Sequence, residues 1–332
     1  MTSSKLDVLG IGNAIVDVLS RTDDSFLKRH QLAKGSMRLI DEQTAHTLYA
    51  DMGPGVEVSG GSAANTIAGV ASFGGRAAFI GKVRNDQLGE VFGHDIRAHG
   101  VEYATPQATS GPATARCLIL VTPDGERTMN TFLGASVGLK PQDIEPELVE
   151  RAAVTYLEGY LWDPEDAKRA FIKAASLARG AGNKVALSLS DAFCVERHRE
   201  SFLELVRGQV DILFANEVEI MSLYQARSFD EALEAVRVDC PLAVLTRSEK
   251  GCVVADRASD LIAVPAHPVK QVEDTTGAGD LFAAGFLYGL TKGLAHAASA
   301  SLGAMAAAEV ISHIGARPEE NLAARAKRLN MV

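Results

Sequence analysis

The run Asp274-Thr275-Thr276-Gly277-Ala278-Gly279-Asp280 is the part of this sequence best suited to chemistry. The residues after it, Leu281 to Leu287, are apolar and read as a buried helix. Gly-Ala-Gly-Asp then opens that helix, where backbone N–H groups lack intrahelical partners. The helix dipole adds partial positive charge there. Gly277, Ala278 and Gly279 read as a cradle for phosphate oxygens, with Asp280 at its edge. A carboxylate beside an anion site is repulsive unless it has a task, and accepting a proton from an attacking hydroxyl is one. A helix turn capped by Asp280 would use the same residues.

Other polar clusters sit beside glycine-rich turns. Gly60-Gly61-Ser62-Ala63-Ala64-Asn65 opens an apolar helix at 66–71. Its glycines admit close backbone approach, and Asn65 carries both a donor and an acceptor. Gly10-Ile11-Gly12-Asn13-Ala14-Ile15-Val16-Asp17 follows a strand and lacks the third glycine of a dinucleotide fingerprint. Asn13 and Asp17 suit a polyhydroxy ligand, or a strand-end turn. Asn216 and Glu219 have the spacing of a capping box. They also suit hydrated Mg²⁺, which carboxylates often hold through water. Tyr160 and Trp162 flank Leu161 and either stack on a base or pack inside.

Composition narrows the classes. The chain has 332 residues, 47% of them hydrophobic and 23% charged, which is globular and long enough for a sizeable core. A net charge of −9 argues against a nucleic-acid binder. The four cysteines form no C-x-x-C motif and read as reduced, buried thiols. Residues 1–12 lack a secretory pattern, and the apolar zone 281–311 is broken by Gly, Lys and His, which argues against a membrane span. The expected location is the cytoplasm. No H-x-x-x-H or H-E-x-x-H metal motif occurs among the histidines.

The elements that must position these residues fall into two textures. Up to about residue 150, short strands alternate with turns: 6–11, 37–40, 56–59, 77–81, 115–121 and 127–132. The last two form a hairpin through Thr122-Pro-Asp-Gly125. Beyond 150, strands at 154–157, 185–189, 211–214 and 242–245 alternate with helices at 164–179, 201–207 and 217–225. That alternation predicts parallel strands covered by helices. The expected architecture is a single α/β domain over 1–332, with a small β lid from segments near 36–59 and 114–132. Arg127 and Met37 lie on strands that could reach the site.

Gly60–Asn65, Asn216-x-x-Glu219 and Asp274–Asp280, in this order, resemble the ribokinase-like (PfkB) carbohydrate and nucleoside kinases over nearly the whole chain. The resemblance implies a central, mostly parallel β-sheet flanked by helices, with a small β-sheet lid over the substrate. It implies ATP and Mg²⁺, with Asp280 as catalytic base and Gly277, Ala278 and Gly279 as the anion hole. Asn216 and Glu219 become the Mg²⁺/phosphate pair, and the loop holding Thr246, Ser248 and Gly251 the ATP side, Ser248 standing where Gly is commoner. Asn13, Asp17, Met37, Gly61, Ser62 and Asn65 become acceptor contacts. Tyr160 and Leu161 fall where an aromatic covers a purine, with the aromatic displaced by one position. K⁺ beside the anion hole is an open addition, with Asp274, Thr276 and Gly315 as contributors. The pattern resembles most the branch that phosphorylates the 5′-hydroxyl of adenosine; a sugar or sugar-acid kinase is the alternative. Both readings take a small-molecule acceptor, as a monomer or homodimer.

Overall fold

The computed structural model describes residues 5–332. Its strands are, in chain order, β1 (Leu6–Ile11), β2 (Ile15–Arg21), β3 (Met37–Leu39), β4 (Gly55–Gly60), β5 (Ala77–Ile80), β6 (Ala115–Val121), β7 (Arg127–Phe132), β8 (Ala152–Glu158), β9 (Lys184–Ser188), β10 (Ile212–Asn216), β11 (Leu242–Thr246), β12 (Cys252–Asp256) and β13 (Ile262–Val264). Eight of them form the main sheet, ordered β13-β12-β11-β10-β9-β8-β1-β5. From β5 to β11 all neighbours are parallel, while β12 and β13 add an antiparallel edge. β1, β8, β9 and β10 are apolar almost throughout because helices cover both faces of the sheet. Two core clusters result. Leu9, Ile11, Leu157 and Leu161 belong to one, and Val8, Tyr156, Phe214 and Phe286 to the other.

β1 is a switch point: the chain passes to β5 on one side of it and to β8 on the other. Ligands bind in α/β folds at such a crevice, outside the carboxyl ends of the strands. Asn13, Glu158, Ser190 and Asn216 all lie at or just past those ends.

The remaining strands make a second, five-stranded sheet, β3-β7-β6-β2-β4. The expected segments 36–59 and 114–132 contribute β3, β4, β6 and β7 to it, while its inner strand β2 includes Asp17, for which the sequence suggests a ligand contact or a strand-end turn. Asp17 therefore lies within this second sheet, not at a strand end of the main one. A helix, Glu42–Asp51, interrupts 36–59. The helix expected at 201–207 runs from Ala192 to Gly208, with a non-helical residue at His198. Its middle, Glu196-Arg197-His198-Arg199-Glu200, is polar and hides the continuity of Ala192–Val195 with the later turns.

The apolar zone 281–311 forms two helices, Ala278–Thr291 and His296–Val310, in close contact. A Cβ added to Gly285 would lie 2.6 Å from the Leu302 carbonyl and the Gly303 nitrogen, which are backbone and cannot turn aside. Gly285→Val should therefore destabilise the protein by about 1–3 kcal/mol, the usual cost of overpacking. A thermal melt checks this, and an unchanged Tm would contradict the close packing.

Candidate active site

Gly277 has φ +78 and is the N-cap of the helix Ala278–Thr291 without a side-chain cap. A left-handed residue at this point suits glycine, and a Cβ would also meet Ala316 Cα at 2.9 Å. The N–H groups of Gly277, Gly279 and Asp280 find no protein acceptor among the described residues. Only Ala278 donates, to Thr275 O at 3.3 Å. Three free donors at a helix N-terminus make an anion cradle.

Asp280 is half-buried beside that cradle. Its Oδ1 accepts from Ser62 Oγ at 2.6 Å and its Oδ2 from Asn65 Nδ2 at 2.9 Å. Burial pushes its pKa up, while these two hydrogen bonds and Arg317 hold it down. Ser62 and Asn65, expected to touch a sugar, thus also orient the carboxylate. They start the helix Ser62–Ser72, whose N-cap Gly61 has φ +97. A Cβ on neighbouring Gly60 would strike the Asp17 carboxylate at 2.2 Å.

Asp17 approaches from the second sheet. Burial pushes its pKa up to about 7, against Arg317 and Arg127, which lower it. Asn13 is also buried. Its backbone N–H and Nδ2 donate to Glu158 Oε1 at 3.3 and 2.7 Å, and the Ala63 N–H donates to Glu158 Oε2 at 2.8 Å. The amide nitrogens of Asn13 and Asn65 are therefore both held by carboxylates. Their oxygens, Asn13 Oδ1 and Asn65 Oδ1, are buried with no partner. An orphan acceptor of this kind is costly unless a ligand supplies a donor, and a hydroxyl does so.

Asn216 and Glu219 form a reciprocal capping box. Asn216 N–H donates to Glu219 Oε2 at 2.9 Å, Asn216 Nδ2 to Oε1 at 2.6 Å, and Glu219 N–H to Asn216 Oδ1 at 2.8 Å. Glu219 is 6% exposed, and burial pushes its pKa up to about 7. Each of its oxygens carries one hydrogen bond and keeps a lone pair for a metal-bound water, so the pair fits hydrated Mg²⁺ as well as a cap. Thr246 ends β11 opposite Asn216 at the carboxyl end of β10, and Ser248 and Gly251 follow in the turn to β12. Ser248 has φ +51, the conformation in which glycine is unstrained.

The expectation for Leu161 is corrected, and the open choice for Trp162 falls to packing. Leu161 is fully buried in the core, and Trp162 packs on Phe171 and Phe202 with its indole N–H donating to Ser201 Oγ at 2.8 Å. Neither offers a face to a base. Of the three residues only Tyr160 is exposed, at 37%. The Asp274 carboxylate has both oxygens engaged by protein donors. Its Oδ1 accepts from the Thr276 N–H and Oγ1, and its Oδ2 from the Gly315 N–H at 3.1 Å. Arg127 Nη1 lies 2.6 Å from Oδ2 in an ion pair whose side chains are 8% and 5% exposed. Asp274, Thr276 and Gly315 do come together, but the cation beside them is Arg127. Met37 is half-exposed on the edge strand β3.

Glu158 and Arg317 were missed. Glu158 showed only as a lone charge ending an apolar strand. Arg317 gave no local signal.

A model of the PfkB family of carbohydrate kinases matches residues 42–322. The chain belongs to that family and is an ATP-dependent kinase with a hydroxyl acceptor. The structure is similar to that of the adenosine kinase from Sinorhizobium meliloti, with 54% identity, 98% of this chain and 100% of that one covered, and a TM-score of 0.91. It is equally close to a probable sugar kinase from Rhizobium etli, at 50% identity, 99% and 100% coverage and a TM-score of 0.92. Fructokinase-1 of Oryza sativa is 31% identical over 70% of this chain and 73% of its own length. The four cysteines are free and buried. No helix among the described residues is long and apolar enough to cross a membrane.

Asp17, Glu158, Glu219 and Asp280 all have raised pKa values in the folded protein, to about 7 for the first three. The folded state then binds more protons than the unfolded state from about pH 4 to 7, so these groups make stability fall as pH rises through that window. His99 and His267, both lowered, act in the opposite sense. The expected result is a ligand-free Tm that drops from pH 5 to pH 8, and a shallower drop in Glu158→Gln. Melts at constant ionic strength measure it; a Tm rising over that range would refute the burial argument.

Proposed function

We propose that this protein phosphorylates the 5′-hydroxyl of adenosine or a close nucleoside, with ATP as donor. What carries the reading is the Asp280 carboxylate, fixed by Ser62 and Asn65 at the edge of three free backbone N–H groups. The acceptor hydroxyl gives its proton to Asp280 as its oxygen attacks the γ-phosphorus. The bond from that phosphorus to the β–γ bridging oxygen breaks, and ADP leaves. The N–H groups of Gly277, Gly279 and Asp280 receive the charge on the transferring oxygens. Asn216 and Glu219 would hold Mg²⁺ through water, and the ion would neutralise phosphate charge. Burial raises the basicity of Asp280, while its hydrogen bonds from Ser62 and Asn65 favour the ionised form.

On the acceptor side, Asp17 takes the ribose 2′- and 3′-hydroxyls, and Asn13 Oδ1 and Asn65 Oδ1 take further donors. The second sheet acts as a lid, carrying Asp17 and Arg127 over the site and excluding water that would hydrolyse ATP. Adenosine is preferred because of the similarity to the S. meliloti enzyme. A sugar kinase is the second reading, favoured by the inward turn of Leu161 and Trp162, which leaves Tyr160 as the one aromatic of that turn able to cover a base. No step is assigned to K⁺.

Asp280→Asn keeps the shape and the amide cradle but removes the proton acceptor. It should lower kcat by ~10²–10⁴-fold, the usual contribution of a general base, with ATP binding retained. A variant with more than a tenth of wild-type kcat would make Asp280 a cap.

Acceptor choice is read from kcat/KM for adenosine, 2′-deoxyadenosine, ribose and fructose at one ATP concentration. Adenosine should lead, and 2′-deoxyadenosine should be much poorer because it leaves Asp17 partly unmatched. Asp17→Ala should narrow that gap. A free sugar ahead of adenosine would establish the second reading and leave the role of Asp280 intact.

A further inference from the structure

Arg317 follows the loop of Gly315 and Ala316, and its guanidinium reaches the end of β4. Nε and Nη2 donate to the Ser59 carbonyl at 3.0 and 2.9 Å, and Nη2 also to Ser59 Oγ at 2.9 Å. Nη1 donates to the Ala64 carbonyl, in the first turn of the helix Ser62–Ser72, at 2.6 Å. From the other side the Ser59 N–H donates to Asp95 Oδ2 at 2.8 Å, on the helix Gln87–Ala98. Ser59 is fully buried. Its N–H, carbonyl and hydroxyl are all held by groups outside the second sheet. The residues immediately after it are Gly60 and Gly61, where the chain leaves that sheet for the main body.

The loop before Arg317 also backs the anion cradle. Ala316 is what a Cβ on Gly277 would strike, and the Gly315 N–H donates to Asp274. One side chain thus links the joint of the second sheet to the wall of the phosphate site. The charges facing the guanidinium are Asp95 and His99 from the helix Gln87–Ala98, Asp17 from β2 and Asp280 from the helix Ala278–Thr291. Asp17 also faces Arg127 and Asp280. Asp280 is further surrounded by Glu158, Glu219, Tyr156 and Tyr160. Arg317 is the cation that acts on both Asp17 and Asp280, lowering each against the effect of burial.

We propose that Arg317 is a positioning residue that ties the lid joint at Ser59 to the loop behind the anion cradle, with its charge held next to the segment 60–65 that touches the Asp17 and Asp280 carboxylates. The kinetic part of this proposal rests on the kinase reading above; the structural part does not. A planar guanidinium can grip two carbonyls and a hydroxyl together, which an ammonium cannot, although both carry the charge.

Arg317→Gln and Arg317→Lys in the full chain separate the two roles. In Arg317→Gln the acidic limb of the kcat/KM profile should move up by about one pH unit, because a cation beside two carboxylates is gone. Amide exchange across residues 56–64 should quicken at least several-fold. Arg317→Lys should keep the acidic limb in place and still show the faster exchange. A folded Arg317→Gln with the wild-type limb would overturn the electrostatic role. Wild-type exchange at 56–64 in either variant would overturn the clamp, and if Arg317→Gln does not fold, Arg317→Lys decides this alone. A wild-type protein that phosphorylates no acceptor sinks the kinase reading, while the exchange comparison still tests Arg317.

Discussion

A negative side chain has to stay at the mouth of an anion site, and much of this structure answers that constraint. Asp280 sits in the first turn of a helix whose free N–H groups would attract it as readily as they attract a phosphate. Ser62 and Asn65 hold the carboxylate from the side, one hydrogen bond on each oxygen. Those two residues can reach it because Gly60 and Gly61 allow the chain to leave β4 and begin a helix at once. Two glycine-rich turns more than two hundred residues apart are therefore one device.

Around it the molecule gathers more buried carboxylates than cations. Asp17, Glu158 and Glu219 are all pushed toward neutral pH by burial. Glu158 is satisfied by N–H donors from Asn13 and Ala63 instead of by a charge. Asp274 is satisfied by Arg127. With the amides of Asn13 and Asn65 turned toward carboxylates, what they leave unpaired are acceptors, which suit donors such as hydroxyl groups.

The main sheet supplies the frame. Parallel strands send all their following loops to one end, and the switch at β1 opens a crevice among them. The second sheet brings Asp17 and Arg127 to the same place from outside that frame. An adenosine kinase and a probable sugar kinase both have backbones closely similar to this one, so the fold alone does not choose the acceptor.

Local signals were enough to single out the candidate phosphate-side segments. Gly277-Ala278-Gly279-Asp280 before an apolar helix, Asn216-x-x-Glu219 after an apolar strand, and the strand–helix alternation beyond residue 150 are patterns of neighbours in the chain, set by helix capping and by side-chain period. The second sheet was half legible: its hairpin 115–132 has a turn signal. Strand β2 has none, because only pairing with β4 and β6 separates it from the turn after β1. Burial decided the rest. Leu161 and Trp162 look like Tyr160 in sequence, and only packing turns them inward. Glu158 and Arg317 acquire their roles from Asn13, Ala63 and Ser59, partners 95 to 258 residues away. Such contacts exist only once the sheets and helices have met, and no local pattern encodes them.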